Sequence, residues 1–153
     1  MSTNSYIIVE CMDGKFRRIY CHHDGYLRHN GKILQEHYAT QEKAEALMAL
    51  GDLSGLGPEI GVKHPFDRPF DSAGAEAWKA AYGNYCHAYG RDRGEKHMEA
   101  DVLESLIEAI MDTGSQRKYV WRKDAGKWFY GQKLAGSQLD GLVELEKALV
   151  RGS

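Results

Sequence analysis

Four of the chain's seven histidines, His22, His23, His29 and His37, fall in the stretch YCHHDGYLRHNGKILQEHY from Tyr20 to Tyr38. Imidazole changes protonation near neutral pH, so His22, His23 and His37 are the candidates for general acid–base catalysis. Asp24 could set the tautomer of a neighbouring imidazole. A His/Asp/His set could also hold a transition metal. The spacing argues against that use: no H-x-x-x-H or H-E-x-x-H pair is present, and no cysteine pair assists. No metal and no cofactor is therefore expected. Adjacent strand residues point to opposite faces, which separates His22 from His23.

Anion binding is the third chemistry. YGRDRGE places Arg91 and Arg93 at alternate positions of a glycine-bounded turn, where two guanidinium groups could clamp a phosphate. Asp92 and Glu95 leave open the alternative of an internal salt-bridge turn. An Arg-Asp-Arg turn removed from water requires either a ligand or a tight network. In HDGY, Tyr26 is available for stacking and Asp24 for a ribose hydroxyl or a base edge. Gly25 and Gly31 allow close backbone approach, and Asn30 or Ser54 could donate to a ligand. The competing reading makes Asp24-Gly25 a simple strand-to-helix connection with Tyr26 in the core. Paired His-x-Thr or His-x-Ser motifs, expected of two-histidine phosphoesterases, are absent.

These residues must be positioned by a chain of 153 residues, enough for one domain over 1–153, with 151–153 read as a tail. Apolar content of 42%, charged content of 27% and a formal charge of −2 fit an ordinary globular protein. That balance forecasts no broad basic face, so duplex DNA is not an expected partner. It is also too weakly acidic for nucleic-acid mimicry. No basic start precedes a long apolar run, and no span approaches membrane length. Cys11, Cys21 and Cys86 lack metal-type spacing and read as small core residues of a protein kept in a reducing cytoplasm.

SYIIVEC and KFRRIYC flank Asp13-Gly14, a strong hairpin signal. KYVWRK and KWFYG flank Asp124-Ala125-Gly126 and repeat the device with Trp121, Trp128 and Tyr130. The expected fold is α+β: an antiparallel sheet built from these N- and C-terminal hairpins and packed with helices. Helices are expected over GKILQEHYA and over TQEKAEALMALG, the second capped by Thr40 and stopped at Gly51. AEAWKAAYG reads as a helical turn or two and NYCHAY as a short strand. ADVLESLIEAIMDTG reads as an amphipathic helix with Val102, Leu103, Leu106, Ile107 and Ile110 on one stripe. SQLDGLVELEKALV reads as a closing helix capped by Ser137. DLSGLGPEIG reads as connection and KHPFDRPFDSAG as loop.

YCHHDGY, the GKIL helix, GDLS, YGRDRGE and the GKWFY hairpin, taken as a set, resemble a family of small bacteriophage and prophage proteins. The match covers most of the chain except the helix expected at 99–113. The resemblance implies a phage accessory protein made in the bacterial cytoplasm. Many such proteins counter host immunity, either by binding an effector protein or by removing a signalling nucleotide. The leading expectation is sequestration of a small anionic ligand, such as a nucleotide immune signal. Its pocket would use His22, Asp24, Gly25, Tyr26, Asn30, Arg91 and Arg93, and a homodimer could enclose the ligand. Two alternatives stand beside it: a phosphodiesterase using histidine, and an inhibitor that binds a host defence protein.

Overall fold

A computed structural model of the chain describes residues 3–111, 117–132 and 141–152. Its strands are β1 (Ser5–Glu10), β2 (Phe16–Cys21), β3 (Leu53–Gly55), β4 (His87–Ala88), β5 (Asp101–Leu103), β6 (Arg117–Arg122), β7 (Lys127–Gln132) and β8 (Val143–Glu144). Its helices are α1 (Lys32–His37), entered through a π-helical turn at Leu27–Gly31, α2 (Gln41–Met48), α3 (Ser72–Tyr82), α4 (Tyr89–Arg93), α5 (Leu106–Ile110) and α6 (Leu145–Gly152). The fold is α+β, with all eight strands in one mixed, mostly antiparallel sheet ordered β4-β3-β2-β1-β6-β7-β8, and β5 paired to β2.

Both expected hairpins form: β1 with β2, and β6 with β7. They meet along a parallel seam, with Ile7 opposite Tyr119 and Val9 opposite Trp121. A second parallel contact sets Cys21 of β2 beside Leu53 of β3. The antiparallel sheet expected from the sequence is thus interrupted at two places. Trp121 and Trp128 face each other across β6 and β7 with ring centroids 5.6 Å apart. Both are buried, as is Tyr130, so the second hairpin supplies core aromatics.

Strand alternation divides the sheet into two faces. Ile7, Val9, Ile19, Cys21, Leu53, Ala88, Tyr119 and Trp128 join Leu34, Leu47 and Leu145 in the larger core, under α1, α2 and α6. The opposite face buries Ile8, Phe16 and Val120 beneath Leu106, Ala109 and Ile110 of α5. Helix α2 starts where Thr40 accepts from the Lys43 amide at 3.2 Å. The chain leaves it at Gly51 with φ +73°, where a Cβ would lie 2.1 Å from the Met98 carbonyl oxygen. Only glycine supplies that conformation and that clearance together.

Three short elements depart from the sequence expectation. The run ADVLESLIEAIMDTG is not one helix. Asp101–Leu103 pairs with Phe16–Arg18 of β2, Ser105 caps a new start by accepting from the Glu108 amide, and helix follows only over Leu106–Ile110. Val102 consequently stands 54% exposed instead of on an apolar stripe. The glycine-rich connection contains β3, and YGRDR forms the short helix α4, closed by Gly94. The expected cap Ser137 lies outside the described residues. No described helix is long and apolar enough to cross a membrane.

Candidate functional site

The free edge of β2 is shared: β5 takes Phe16–Arg18 and β3 takes Cys21. Asp52 caps the Tyr20 amide at 2.9 Å, on the β2 residue before that β3 pairing. Burial pushes the Asp52 carboxyl upward, against the amide bond that lowers it. Beyond β3, Leu53 pairs with Ala88 and Gly55 with His87. Cys21, Leu53 and Ala88 are all fully buried on the helix-covered face. Their chain neighbours Tyr20 on β2, His22 just past its end, and His87 and Tyr89 around β4 must therefore point to the other face. Ser54, the chain neighbour of buried Leu53 on β3, joins them by the same alternation. All five side chains are half-buried; Trp78 of α3 packs on the His87 ring with centroids 5.0 Å apart, and Tyr89 opens α4.

The segments CHHDGY and GRDRGE are thereby held on opposite edges of β3. His22 and His23 donate their amides to the Leu53 and Ser54 carbonyls, and the Tyr89 amide reaches the Asp52 carbonyl. On this face the Tyr20 hydroxyl lies 3.0 Å from His22 Nδ1. Tyr20 also packs edge-on against Tyr6, and the His23 ring lies 4.4 Å from the His22 ring. At the far rim the Arg93 guanidinium lies over the contacting Phe66 and Tyr89 rings, 4.6 and 4.8 Å from their centroids. Arg93 is also ion-paired to Glu95.

Behind His87 lies a buried proton-bearing chain that sequence reading did not single out. The Asp92 carboxylate is fully buried and accepts from the His64 and Ala88 amides and from the Arg91 guanidinium. His64 Nδ1 lies 2.8 Å from the Val62 carbonyl oxygen and 3.5 Å from Asp92 Oδ1. A carbonyl only accepts, so His64 Nδ1 carries the proton. His64 Nε2 is 2.8 Å from His87 Nδ1. With His64 neutral, His87 must donate there, and its own Nε2 keeps a lone pair on the ring edge turned away from His64. Trp78, Tyr82 and Tyr85 pack their rings around His64.

Burial, reinforced by the neighbouring His64, lowers the His87 pKa from 6.5 to about 4. A depressed histidine means that the unfolded chain binds more protons between those two values. Stability is then complete above pH 6.5 and declines as pH falls toward 4. Urea unfolding of wild type is expected to lose about 1–2 kcal/mol across that window relative to His87→Gln, after discounting for partial exposure. Parallel curves for the two proteins would refute the assignment.

The other sequence candidates occupy different settings. Arg91 is consumed internally: it donates to Asp92 and to the Ile60 and Cys86 carbonyls at 2.7 and 2.8 Å. It fastens the 60–64 loop to β4, and the tight-network alternative describes it. Asn30 is fully buried, donating to Ser5, Cys21 and the His23 carbonyl, with His29 Nδ1 2.9 Å from its oxygen. At Gly25 a Cβ would lie 2.7 Å from the Asn4 carbonyl oxygen, and the Gly25 carbonyl accepts from Tyr119. Its small size thus serves chain packing. Asp24, held at φ +57°, accepts from the exposed Tyr26 hydroxyl and lies 4.0 Å from His29. His37 is exposed beside Glu36 at the end of α1, in the helical layer behind the sheet. A groove of about 540 Å³ lined by Arg28, Lys32, Glu36 and Leu149 is also separate from the β2–β3–β4 face.

Alternation in NYCHAYG, with Cys86 and Ala88 inward, carries the signal for His87 and Tyr89. His64 sits in an irregular proline-containing loop where no periodicity marks it. Comparison with protein-family models, curated proteins and solved structures gave no match.

Proposed function

We propose that the face of β2, β3 and β4 opposite the larger core binds a small ligand joining an aromatic base to an anionic group, a nucleotide in chemical class. The observation that carries this reading is the convergence of Tyr20, His22, Ser54, His87 and Tyr89 on one face of the sheet, rimmed by Arg93 of α4. Tyrosine faces suit stacking, imidazole and hydroxyl groups suit phosphate oxygens, and a guanidinium seated on two rings is pre-oriented toward an anion. The anion contact moves from an Arg91–Arg93 clamp to Arg93 with the two histidines. Within this proposal the protein acts as a phage accessory factor that withdraws a nucleotide immune signal from its host. The motif resemblance supports that setting.

Titration calorimetry with AMP and with 3′,5′-cyclic diadenylate tests the binding. Tyr89→Ala and Arg93→Ala are each expected to weaken binding at least tenfold, in line with about 1–3 kcal/mol per stacked base. His37→Ala, behind the sheet, is expected to leave it unchanged. Heat released from wild type that is indistinguishable from buffer for both nucleotides would defeat the reading. Unaltered nucleotide recovered after heat denaturation of the complex would support sequestration.

A further inference from the structure

The same face holds two histidines in complementary settings, and neither the binding reading nor any sequence motif requires that. We propose that His87 and His22 act as general base and general acid in cleaving a ribonucleotide phosphodiester, with the ribose 2′-hydroxyl as nucleophile. This inference rests on the nucleotide-binding reading and assigns the ligand's reactive part.

The register places the pair. Cys21, Leu53 and Ala88 lie side by side, and because β4 runs antiparallel to β3, His22 and His87 fall on the same side of that line. Two strand spacings separate their backbones by about 10 Å. His22 and His87 thereby flank Ser54 from the two edges of β3. His87 is fixed as the base by the chain behind it: its Nδ1 is engaged by His64, so Nε2 is the atom left to take a proton. His22 is held at Nδ1 by Tyr20, and in the proposed step its imidazolium form donates from Nε2.

Cys21 and Cys86 are fully buried on the opposite face. In the proposed reaction the attack comes from the substrate. His87 Nε2 removes the 2′-hydroxyl proton, and the 2′-oxygen bonds to the adjacent phosphorus. The bond from phosphorus to the 5′-oxygen breaks, and His22 Nε2 delivers a proton to that leaving oxygen. The products are a 2′,3′-cyclic phosphate and a 5′-hydroxyl. Protonated His87 passes its Nδ1 proton to His64 Nε2, placing the positive charge beside the Asp92 carboxylate, 3.5 Å from His64 Nδ1. His64 is thus a positioning residue and a proton reservoir, and exchange with water restores both histidines.

The test incubates wild type with a 3′,5′-linked adenylyl ribodinucleotide and with its 2′-deoxy counterpart, followed by chromatography and mass detection. Cleavage of the ribonucleotide alone, to a 2′,3′-cyclic phosphate, is the expected result. His87→Gln and His22→Gln are each expected to lower the rate at least 100-fold while calorimetry still detects binding. His87→Asn serves as a second variant if His87→Gln does not fold. His64→Gln is expected to move the acid limb of the rate profile toward higher pH, which loss of packing alone would not do. Intact ribonucleotide recovered from a binding-competent wild type overturns the cleavage and leaves the binding reading standing. Equal cleavage of the deoxy compound overturns the 2′-hydroxyl as nucleophile. Absence of both binding and cleavage removes the two readings together.

Discussion

Asp92→Ala is expected to lower unfolding free energy by about 3–5 kcal/mol, the range for breaking a buried ion pair by removing one partner. The carboxylate accepts from the His64 and Ala88 amides and from two nitrogens of Arg91, and its side chain is fully buried. Alanine leaves those donors without their acceptor in a place water does not reach. Asp92→Asn keeps one acceptor oxygen and is expected to recover part of the loss. Guanidinium denaturation of the three proteins measures both effects. Hydrogen exchange should show the His64 and Ala88 amides losing protection first. An Asp92→Ala protein within about 1 kcal/mol of wild type would mean that this network does not hold the 60–64 loop to β4.

Trp128→Ala should cost about as much, roughly 3–5 kcal/mol, through a different mechanism. Trp128 is 1% exposed, packs edge-on against Trp121, and donates its indole N–H to the Tyr38 carbonyl at 2.9 Å. Truncation opens a cavity between the C-terminal hairpin and the end of α1. Trp128→Phe refills most of that volume but removes the donor, so about 1–3 kcal/mol should remain. Urea unfolding monitored by far-ultraviolet circular dichroism avoids relying on the deleted fluorophore. Equal losses for both variants would assign the effect to the hydrogen bond and not to volume.

What could be read from the sequence follows the range of the interactions involved. Asp13-Gly14 and Gly126 mark their hairpins because a turn is encoded by the residues within it, and Thr40 marks α2 for the same reason. The parallel seam between β1 and β6 has no local code: Ile7 pairs with Tyr119 across most of the chain. Strands β3 and β4 are too short, at three and two residues, to establish a period before they end. Asp101–Leu103 reads as part of a helical pattern because Val102 and Leu103 fit either period until β2 claims them. At the candidate site, His22 and Arg93 carry over from the sequence reading. Arg91 and Asn30 turned inward because buried carbonyls and a carboxylate needed donors. Asp92, which the sequence offers only as a possible neutraliser, organises the neighbourhood.

The parallel seam also orders events in time. Each hairpin closes a short loop and can form within microseconds, whereas joining Tyr6 to Lys118 requires most of the chain to be gathered first. The face carrying Tyr20, His22, Ser54, His87 and Tyr89 needs only β2, β3 and β4, none of which waits for the C-terminal hairpin to arrive. Completion of the ligand surface and completion of the sheet are therefore separate closures. The docking of one preformed hairpin against the other is the step at which topology sets the folding rate.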